Sequence, residues 1–463
     1  MEKVFAFIDS ANDWLWSYVV IVLLVFCALY FTIRSRGVQL RLLPDMLRLL
    51  TDKGGRNGGK KAIGSFQAFA VSLSSRVGTG NLAGVASAIF VGGPGAVFWM
   101  WVMAFFGAAT AFVEATLAQY YKRRGKDSFY GGPAYYMKYG LKAEWMGKLF
   151  AVLLILTFGL ANQLVQSNTL CDALGDALAV DKRWIALALS LITLPIIFGG
   201  VSRISKFASI VVPIMAIGYL IVAVVIIFMN IAHVPALFAL IFKSAFGLDA
   251  AAGGVVGTAV MQGVKRGLFS NEAGEGSAPN AAAIAQTSHP VKQGLLQALG
   301  VFTDTLLICS CTAFIILLSG LYDCGQDGIL LTKSALVSHI GDFGAVFITL
   351  AIFLFAYSTL IGNYYYAETN VRFLTSKRWA VSLIRVVTAL IIISGSLLSL
   401  TQVWSLVDLT MGVMTLVNLI AIFLLYPKVS ALLKDYLDNK SKGLDPEFKA
   451  DKDSPDDTPA WKE

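Results

Sequence analysis

Two stretches of this chain place polar and titratable residues among apolar neighbours. The first, SSRVGTGNLAG at residues 74–84, sets Ser74, Ser75, Arg76, Thr79 and Asn81 around Gly78 and Gly80, inside the run AIGSFQAFAVSLSSRVGTGNLAGVASAIF. The second, GVKRGLFSNEAGEGSAPN at 263–280, carries Arg266, Ser270, Asn271, Glu272 and Glu275. Glycine loosens a helix and a charge in hydrocarbon is costly, so such residues mark places where a helix opens. Opening frees N–H groups at one new end and C=O groups at the other. The N–H end attracts a carboxylate and the C=O end a cation. The chemistry implied is binding of a zwitterion with a small ion, and the glycines let a ligand approach the backbone closely.

The elements that position these stretches are membrane spans. Hydrophobic residues make up 57% of the 463 and charged residues 14%, with a mean hydropathy of +0.70. Apolar runs of about 20 residues recur along the chain, each able to cross roughly 30 Å of hydrocarbon. They predict spans near 14–33, 63–91, 95–120, 146–168, 182–200, 206–230, 251–284, 293–319, 344–367, 380–399 and 403–426. The fold class is therefore an all-α polytopic membrane protein with eleven transmembrane helices. The start MEKVFAFIDSAND lacks the basic region and cleavage site of a signal peptide, so the first span is expected to stay. The net charge of +8 is sorted by side. One set of alternate connections, with the C-terminal segment, holds 27 Lys and Arg, and the other, with the N-terminal segment, holds 5. The positive-inside rule puts the N-terminus outside the cell membrane and the C-terminus in the cytoplasm. The basicity is topology, and no nucleic-acid partner is expected.

The two polar stretches are related. Arg76 precedes Asn81 by five residues and Arg266 precedes Asn271 by five, an offset of 190 that also carries spans two to six onto spans seven to eleven. Five spans per repeat is an odd number, so the second copy inserts upside down. One extra N-terminal helix plus a 5+5 inverted repeat with two broken helices is an architecture of secondary transporters. A single break reads equally well as a packing kink; two at equivalent places point to a site. The chain divides into an N-terminal helix and amphipathic segment (1–62), a first repeat (63–231), an inverted second repeat (232–427) and a cytoplasmic tail (428–463). VQLRLLPDMLRLL predicts a short helix on the cytoplasmic membrane surface. The charged, proline-containing tail NKSKGLDPEFKADKDSPDDTPAWKE predicts disorder.

Other function classes fit less well. Cys27, Cys171, Cys309, Cys311 and Cys324 show no disulfide or zinc spacing. No HExxH, GxSxG, Cys/His cluster or Walker A loop appears, so neither an enzyme nor an ATP-driven pump is expected, and no cofactor. Polar breaks also build channel filters, but those usually arise from symmetric oligomers or re-entrant loops.

GGPGAVFWMWVMAFFG (92–107) resembles the signature of the alanine or glycine:cation symporters. VGTGNLAGVASAI, GGPAYY, VQSNT, RGLFSNEAGEGSAP and TDT are similar to other segments of that family, in the expected order over roughly residues 10–430. The resemblance implies the amino-acid transporter (leucine-transporter-like) fold and transport of a small neutral amino acid with sodium, or sometimes protons. In the first break Thr79, Gly80 and Asn81 offer N–H groups and an amide to the substrate carboxylate. The resemblance to the wider fold places sodium against backbone oxygens of Ser74 and Val77, completed by the Phe355 carbonyl and the hydroxyls of Ser358 and Thr359 in FAYSTLIG. It also puts Gln166 beside the substrate. Phe269 would wall the pocket, with Ser270 and Asn271 as polar contacts.

The remaining charges within spans are coupling or gating candidates. They are Arg76, Glu114, Arg266, Glu272, Glu275 and Asp304. Each arginine is a candidate to pair with a glutamate, and Asp304, with no basic neighbour in sequence, to bind a cation or a proton. His233, His289 and His339 read as surface groups. Two positions depart from the family pattern: Asn363 stands where a tryptophan is usual and Ala367 where glycine is usual. If it lines the pocket, asparagine enlarges and polarises that wall. It therefore bears on whether the substrate is alanine, glycine or a larger polar neutral amino acid.

Overall fold

The computed structural model of the protein describes residues 2–52, 63–125, 128–247, 253–450 and 459–461. The described residues are almost entirely helical, with strands only in a two-residue antiparallel pair, Arg123–Arg124 with Phe129–Tyr130. Among them, eight helices are long and apolar enough to cross a membrane: Lys3–Arg34, Gly95–Tyr120, Glu144–Leu178, Gly200–Met229, Pro290–Ser319, Asp342–Leu374, Arg378–Leu397 and Leu400–Ser441. The other expected spans correspond to the 16-residue helix Lys182–Ile197 and to the two broken helices. The start of the seventh span at 251–252 lies outside the described residues.

Burial sorts these helices into a centre and a rim. In its most apolar window Gly95–Tyr120 is 67% buried, whereas Gly200–Met229 is 28% buried and Arg378–Leu397 33%. On Gly200–Met229 the exposed side chains Ile210, Ile214, Ile217 and Ile221 recur every three to four residues, the stripe of a face turned to lipid. Helices pack on Gly95–Tyr120 through small residues, since lipid tails give apolar helices no hydrophobic reason to associate. A Cβ at Gly263 would lie 2.6 Å from the Ala96 carbonyl, and one at Gly294 would lie 2.8 Å from the Phe112 carbonyl. The second broken helix and Pro290–Val301 are therefore seated directly on this central helix.

Two short helices in connections, Val234–Phe246 and Gly328–Ile340, carry no span-length signal and were not expected. Thr332 of the latter donates to the Leu82 carbonyl (3.0 Å), bringing it onto the first broken helix. The amphipathic segment forms two turns of helix, Val38–Arg41 and Leu43–Leu49. Val38, Met46 and Leu49 are buried, and Leu40 and Leu47 exposed.

The tail corrects the expectation of disorder wherever it is described. Phe448 donates its backbone N–H to the Ser288 carbonyl (2.8 Å), and buried Trp461 donates Nε1 to the Gln119 carbonyl (3.0 Å) while meeting Phe448 edge-on. Its charge content argued against packing, but two aromatic side chains supply the anchors. Residues 451–458 lie outside the described residues. His289 is likewise no surface group. It is fully buried with Nε2 3.1 Å from Asp435 Oδ2, and burial lowers its pKa to about 4.

Candidate substrate and ion site

The first broken helix runs from Ser65 to Arg76, leaves helical geometry at Val77 (φ −80°, ψ 84°), and restarts as a π-helical turn, Gly80–Gly84, that continues into Val85–Gly92. The freed N–H groups meet side-chain oxygens. Gly78 N donates to Asn81 Oδ1 (2.8 Å) and Thr79 N to Gln166 Oε1 (3.2 Å). Gln166 is itself held by its Nε2 on Asn162 Oδ1 (2.9 Å). Buried backbone donors must find acceptors, and here they find amides that a ligand carboxylate can exchange with.

The second broken helix, Gly253–Asn271, ends at Glu272, whose φ is +56°, and re-enters a short helix at Pro279–Ala282. Between them Gly274 (φ +102°) and Gly276 (φ +82°) take backbone conformations that L side chains rarely adopt. Carboxylates and amides tie this stretch down. Asn271 Oδ1 accepts from Ala273 N (3.0 Å), and Glu114 Oε2 accepts from Gly274 N (3.2 Å). Asn418 donates to Glu114 Oε1 and to the Gly274 carbonyl (2.9 Å). Glu272 joins the two breaks, accepting from Ser75 Oγ (2.7 Å) on one side and Ser277 Oγ (2.6 Å) on the other.

The breaks meet at Gly80. A Cβ there would lie 2.9 Å from Phe269 Cδ1 and 3.3 Å from Ser270 Cα. The expected reason for this glycine was ligand approach; the geometry gives it a second one, contact between the two broken helices. Ser270 Oγ and Asn81 Nδ2 both donate to Asp304, and Asn271 Nδ2 donates to Thr305 Oγ1 (3.2 Å). Two π-helical segments border this centre, Gly80–Gly84 and Phe302–Cys309, and such bulges recur at functional sites.

The five expected ion ligands come together in part around one hydroxyl. Thr359 Oγ1 lies 2.9 Å from the Ser74 carbonyl, 3.5 Å from that of Val77 and 3.1 Å from that of Phe355. Ser358 Oγ stays with the Phe355 carbonyl on its own helix (2.9 Å), and Ser74 Oγ with the Val71 carbonyl, so Ser74 contributes through its backbone. Gly78 closes this corner, since a Cβ would lie 2.2 Å from Thr359 Oγ1. Oxygens of this kind suit a hard monovalent cation.

The charges find partners that differ from those expected. Arg266 pairs with Asp408 (2.8 Å) rather than with a glutamate, and its guanidinium stacks 4.0 Å over Trp404, whose ring meets Phe269 edge-on at 4.7 Å. Lys265 lies 3.7 Å from the same carboxylate. Arg76 forms no ion pair with a carboxylate among the described residues and donates Nη1 to the Gln297 carbonyl (3.1 Å). Asn363 is fully buried, with Oδ1 2.7 Å from Ser75 Oγ and no partner for Nδ2 among the described residues. Sequence reasoning missed Asp408, Trp404 and Asn418. For Asp408 a signal existed, a lone acid within the last span that must find a cation; Asn418 and Trp404 carried none.

Apolar spanning helices around one polar centre, two of them broken at matching places of an inverted repeat, define a multi-pass membrane transporter with the leucine-transporter-like fold. That fold is shared by the solved structure of MhsT in complex with L-phenylalanine. Its TM-score is 0.56 at 13% identity, covering 81% of this chain and 100% of that one. The profile of the sodium:alanine symporter family matches residues 1–450, and the chain belongs to that family, a family of transporters and not of enzymes. The chain is 51% identical to the probable sodium/glutamine symporter GlnT of Bacillus subtilis, over 96% of this chain and 93% of that protein. It is 48% identical to the amino-acid carrier protein AlsT of the same organism, over 97% and 96%. It is also 40% identical to the sodium/proton-dependent alanine carrier protein of Bacillus sp. strain PS3, over 88% and 95%.

Proposed function

We propose that this protein imports a small neutral amino acid, alanine or glycine, together with sodium, by alternating access across the cell membrane. The observation that carries the reading is the convergence of the Ser74, Val77 and Phe355 carbonyls on Thr359 Oγ1, directly beside the break at Val77–Thr79. Sodium at that point joins the first broken helix to Asp342–Leu374. The amino-acid carboxylate takes the N–H end of the same break, exchanging with Gln166 Oε1 at Thr79 N. Phe269 closes the wall opposite and limits side-chain bulk. With the N-terminus outside, the Arg266–Asp408 pair and Trp404 lie on the outer side and act as the gate there. The Ser75–Glu272–Ser277 contacts lie on the inner side.

The driving force is adequate. One cation moving down about 100 mV yields about 2.3 kcal/mol, and a tenfold concentration ratio adds about 1.4 kcal/mol. The sum concentrates a neutral substrate several hundredfold. The test is uptake of labelled alanine into sealed proteoliposomes. We expect saturable accumulation under an inward sodium gradient and none under potassium. Uptake indifferent to the ion gradient sinks the reading. Orientation has its own check: a cysteine at Ser128 should resist an impermeant thiol reagent in intact cells once the native cysteines are removed.

One observation favours a second reading, a longer polar neutral amino acid. Asn363 presents a buried carboxamide that meets Ser75 Oγ (2.7 Å) through one end and has no partner among the described residues at the other, where a carboxamide or hydroxyl side chain can hydrogen-bond. A 51% identical relative is named a probable sodium/glutamine symporter. Competition of alanine uptake by glutamine and serine separates the two.

A further inference from the structure

Asp304 sits where the two broken helices meet, in the π-helical segment Phe302–Cys309. It is wholly buried. Oδ1 accepts from Asn81 Nδ2 of the first break (2.7 Å), and Oδ2 accepts from Ser270 Oγ at the end of the second broken helix (2.7 Å) and from Thr305 Oγ1 (2.8 Å). Asn81 cannot turn its amide round without loss, because its Oδ1 is held by Gly78 N. Every direct partner of this carboxyl group is neutral. Of the guanidinium groups nearby, Arg266 is paired with Asp408, and Arg76 donates Nη1 to the Gln297 carbonyl and makes no direct contact with Asp304.

The charged and titratable groups that face Asp304 do not balance it. Arg76 on the first broken helix acts on Asp304, but also on Glu114, Glu272 and Glu275, so one cation serves four carboxyl groups. Glu272 faces it from the second broken helix and Cys309 from its own helix. Of the other helices packed on Phe302–Cys309, Gly95–Tyr120 carries Glu114, engaged by Gly274 N and Asn418, and Gly200–Met229 carries Tyr219, bonded to Thr312. A buried carboxylate without a counter-charge is costly and is relieved by neutralisation. A carboxylate offers about four acceptor positions, and donors fill three of them here. A metal ion would have to displace those donors, whereas a proton needs only the position left open.

We propose that Asp304 is a proton-exchanging group of the carrier. Resting on the reading above, it takes a proton from water on the outer side as the amino-acid carboxylate binds at Thr79–Asn81. It returns that proton to water on the inner side when the substrate leaves. The step is a plain protonation: one lone pair of the carboxylate takes one proton, the group goes from charge −1 to 0, and no other bond changes. The driver is repulsion. The substrate carboxylate and ionised Asp304 are both negative and both draw on Asn81, so binding one favours neutralising the other. Linkage makes this reciprocal, and protons raise substrate affinity by the same factor.

The test measures protons directly. In weakly buffered detergent solution with an indicator dye and saturating sodium, adding L-alanine, or L-glutamine in parallel, should make the wild type take up protons, approaching one per amino acid. Affinity should fall as pH rises, by up to about tenfold per unit above the midpoint. Asp304→Asn should take up none and bind with an affinity flat in pH, while Asp304→Glu keeps the dependence. Absence of proton uptake by the wild type between roughly pH 5 and 9 overturns the proposal, as does undiminished pH dependence in Asp304→Asn. The wild-type measurement decides even if both variants fail to fold. Sodium-dependent binding at fixed pH is a separate readout: its loss sinks symport, whereas its presence without linked protons sinks this proposal alone.

Discussion

In the first broken helix the backbone is non-helical only at Val77 and Gly78, and its freed donors are met by Asn81 and Gln166, amides that can exchange with a ligand. In the second the interruption runs from Glu272 to Ala278. It is held by Glu114, Asn418, Asn271 and Ser277, through bonds to its own backbone or to Glu272. The two stretches occupy equivalent places in an inverted repeat and use similar residue types. The difference lies in what neighbouring helices present. Asp342–Leu374 and Asn162–Leu178 bring Thr359 and Gln166 to the first break, whereas Gly95–Tyr120 and Leu400–Ser441 bring Glu114 and Asn418 to the second. The first break presents partners that a ligand can exchange with, which the proposed function reads as a binding site; the second is held through its own backbone and lends side chains.

Mutations that treat the two breaks alike should therefore give different phenotypes. The largest effect is expected at Gly78, where the Cβ of alanine would fall 2.2 Å from Thr359 Oγ1 and 3.1 Å from Gln166 Oε1. Gly78→Ala should reduce sodium-driven uptake by at least about a hundredfold, the equivalent of about 2.7 kcal/mol. Near-normal uptake would show that the hydroxyl and the break are not joined, and the comparison would break. Glu114→Ala, in the wall of the second break, should act on the fold. It leaves Gly274 N and an Asn418 donor without an acceptor, at about 1–3 kcal/mol for each buried group. A lower Tm with sodium half-saturation within about twofold of wild type is expected. A sodium-binding defect at unchanged Tm would make this break part of the ion site instead.

Two smaller effects sharpen the assignment of the first break. Thr359→Ala removes one oxygen from the three carbonyls around it, and should raise the sodium concentration for half-maximal uptake about tenfold, or about 1.4 kcal/mol. Thr359→Ser should restore most of the affinity. Identical sodium curves for all three proteins would move the ion elsewhere. Asn363→Ala should change least. Loss of one neutral hydrogen bond is worth about 0.5–1.5 kcal/mol, so the preference for glutamine over alanine should fall by roughly three- to tenfold. An unchanged ratio leaves small side chains as the substrates and removes the second reading.

Features written in short-range pattern were legible from the chain. Apolar runs of spanning length announced the helices, because a backbone in lipid must satisfy its hydrogen bonds within each helix. Gly78 and Gly80, and the glycines of GVKRGLFSNEAGEGSAPN, set among polar residues, announced the breaks, because glycine loosens a helix and lets other atoms approach the backbone closely. The offset of 190 announced the repeat. Long-range pairing was not legible. Arg266 looked ready for a nearby glutamate and instead meets Asp408, 142 residues on; Glu114 meets Gly274 and Asn418, on two other helices. The tail read as solvated charge, yet Phe448 and Trp461 find Ser288 and Gln119. Sequence by itself therefore determined that this is a helical membrane transporter with two opened helices, since those properties follow from periodicity, length and backbone freedom. How each break is held was decided only by tertiary structure, because a freed N–H takes its role from the side chain that packing brings opposite it.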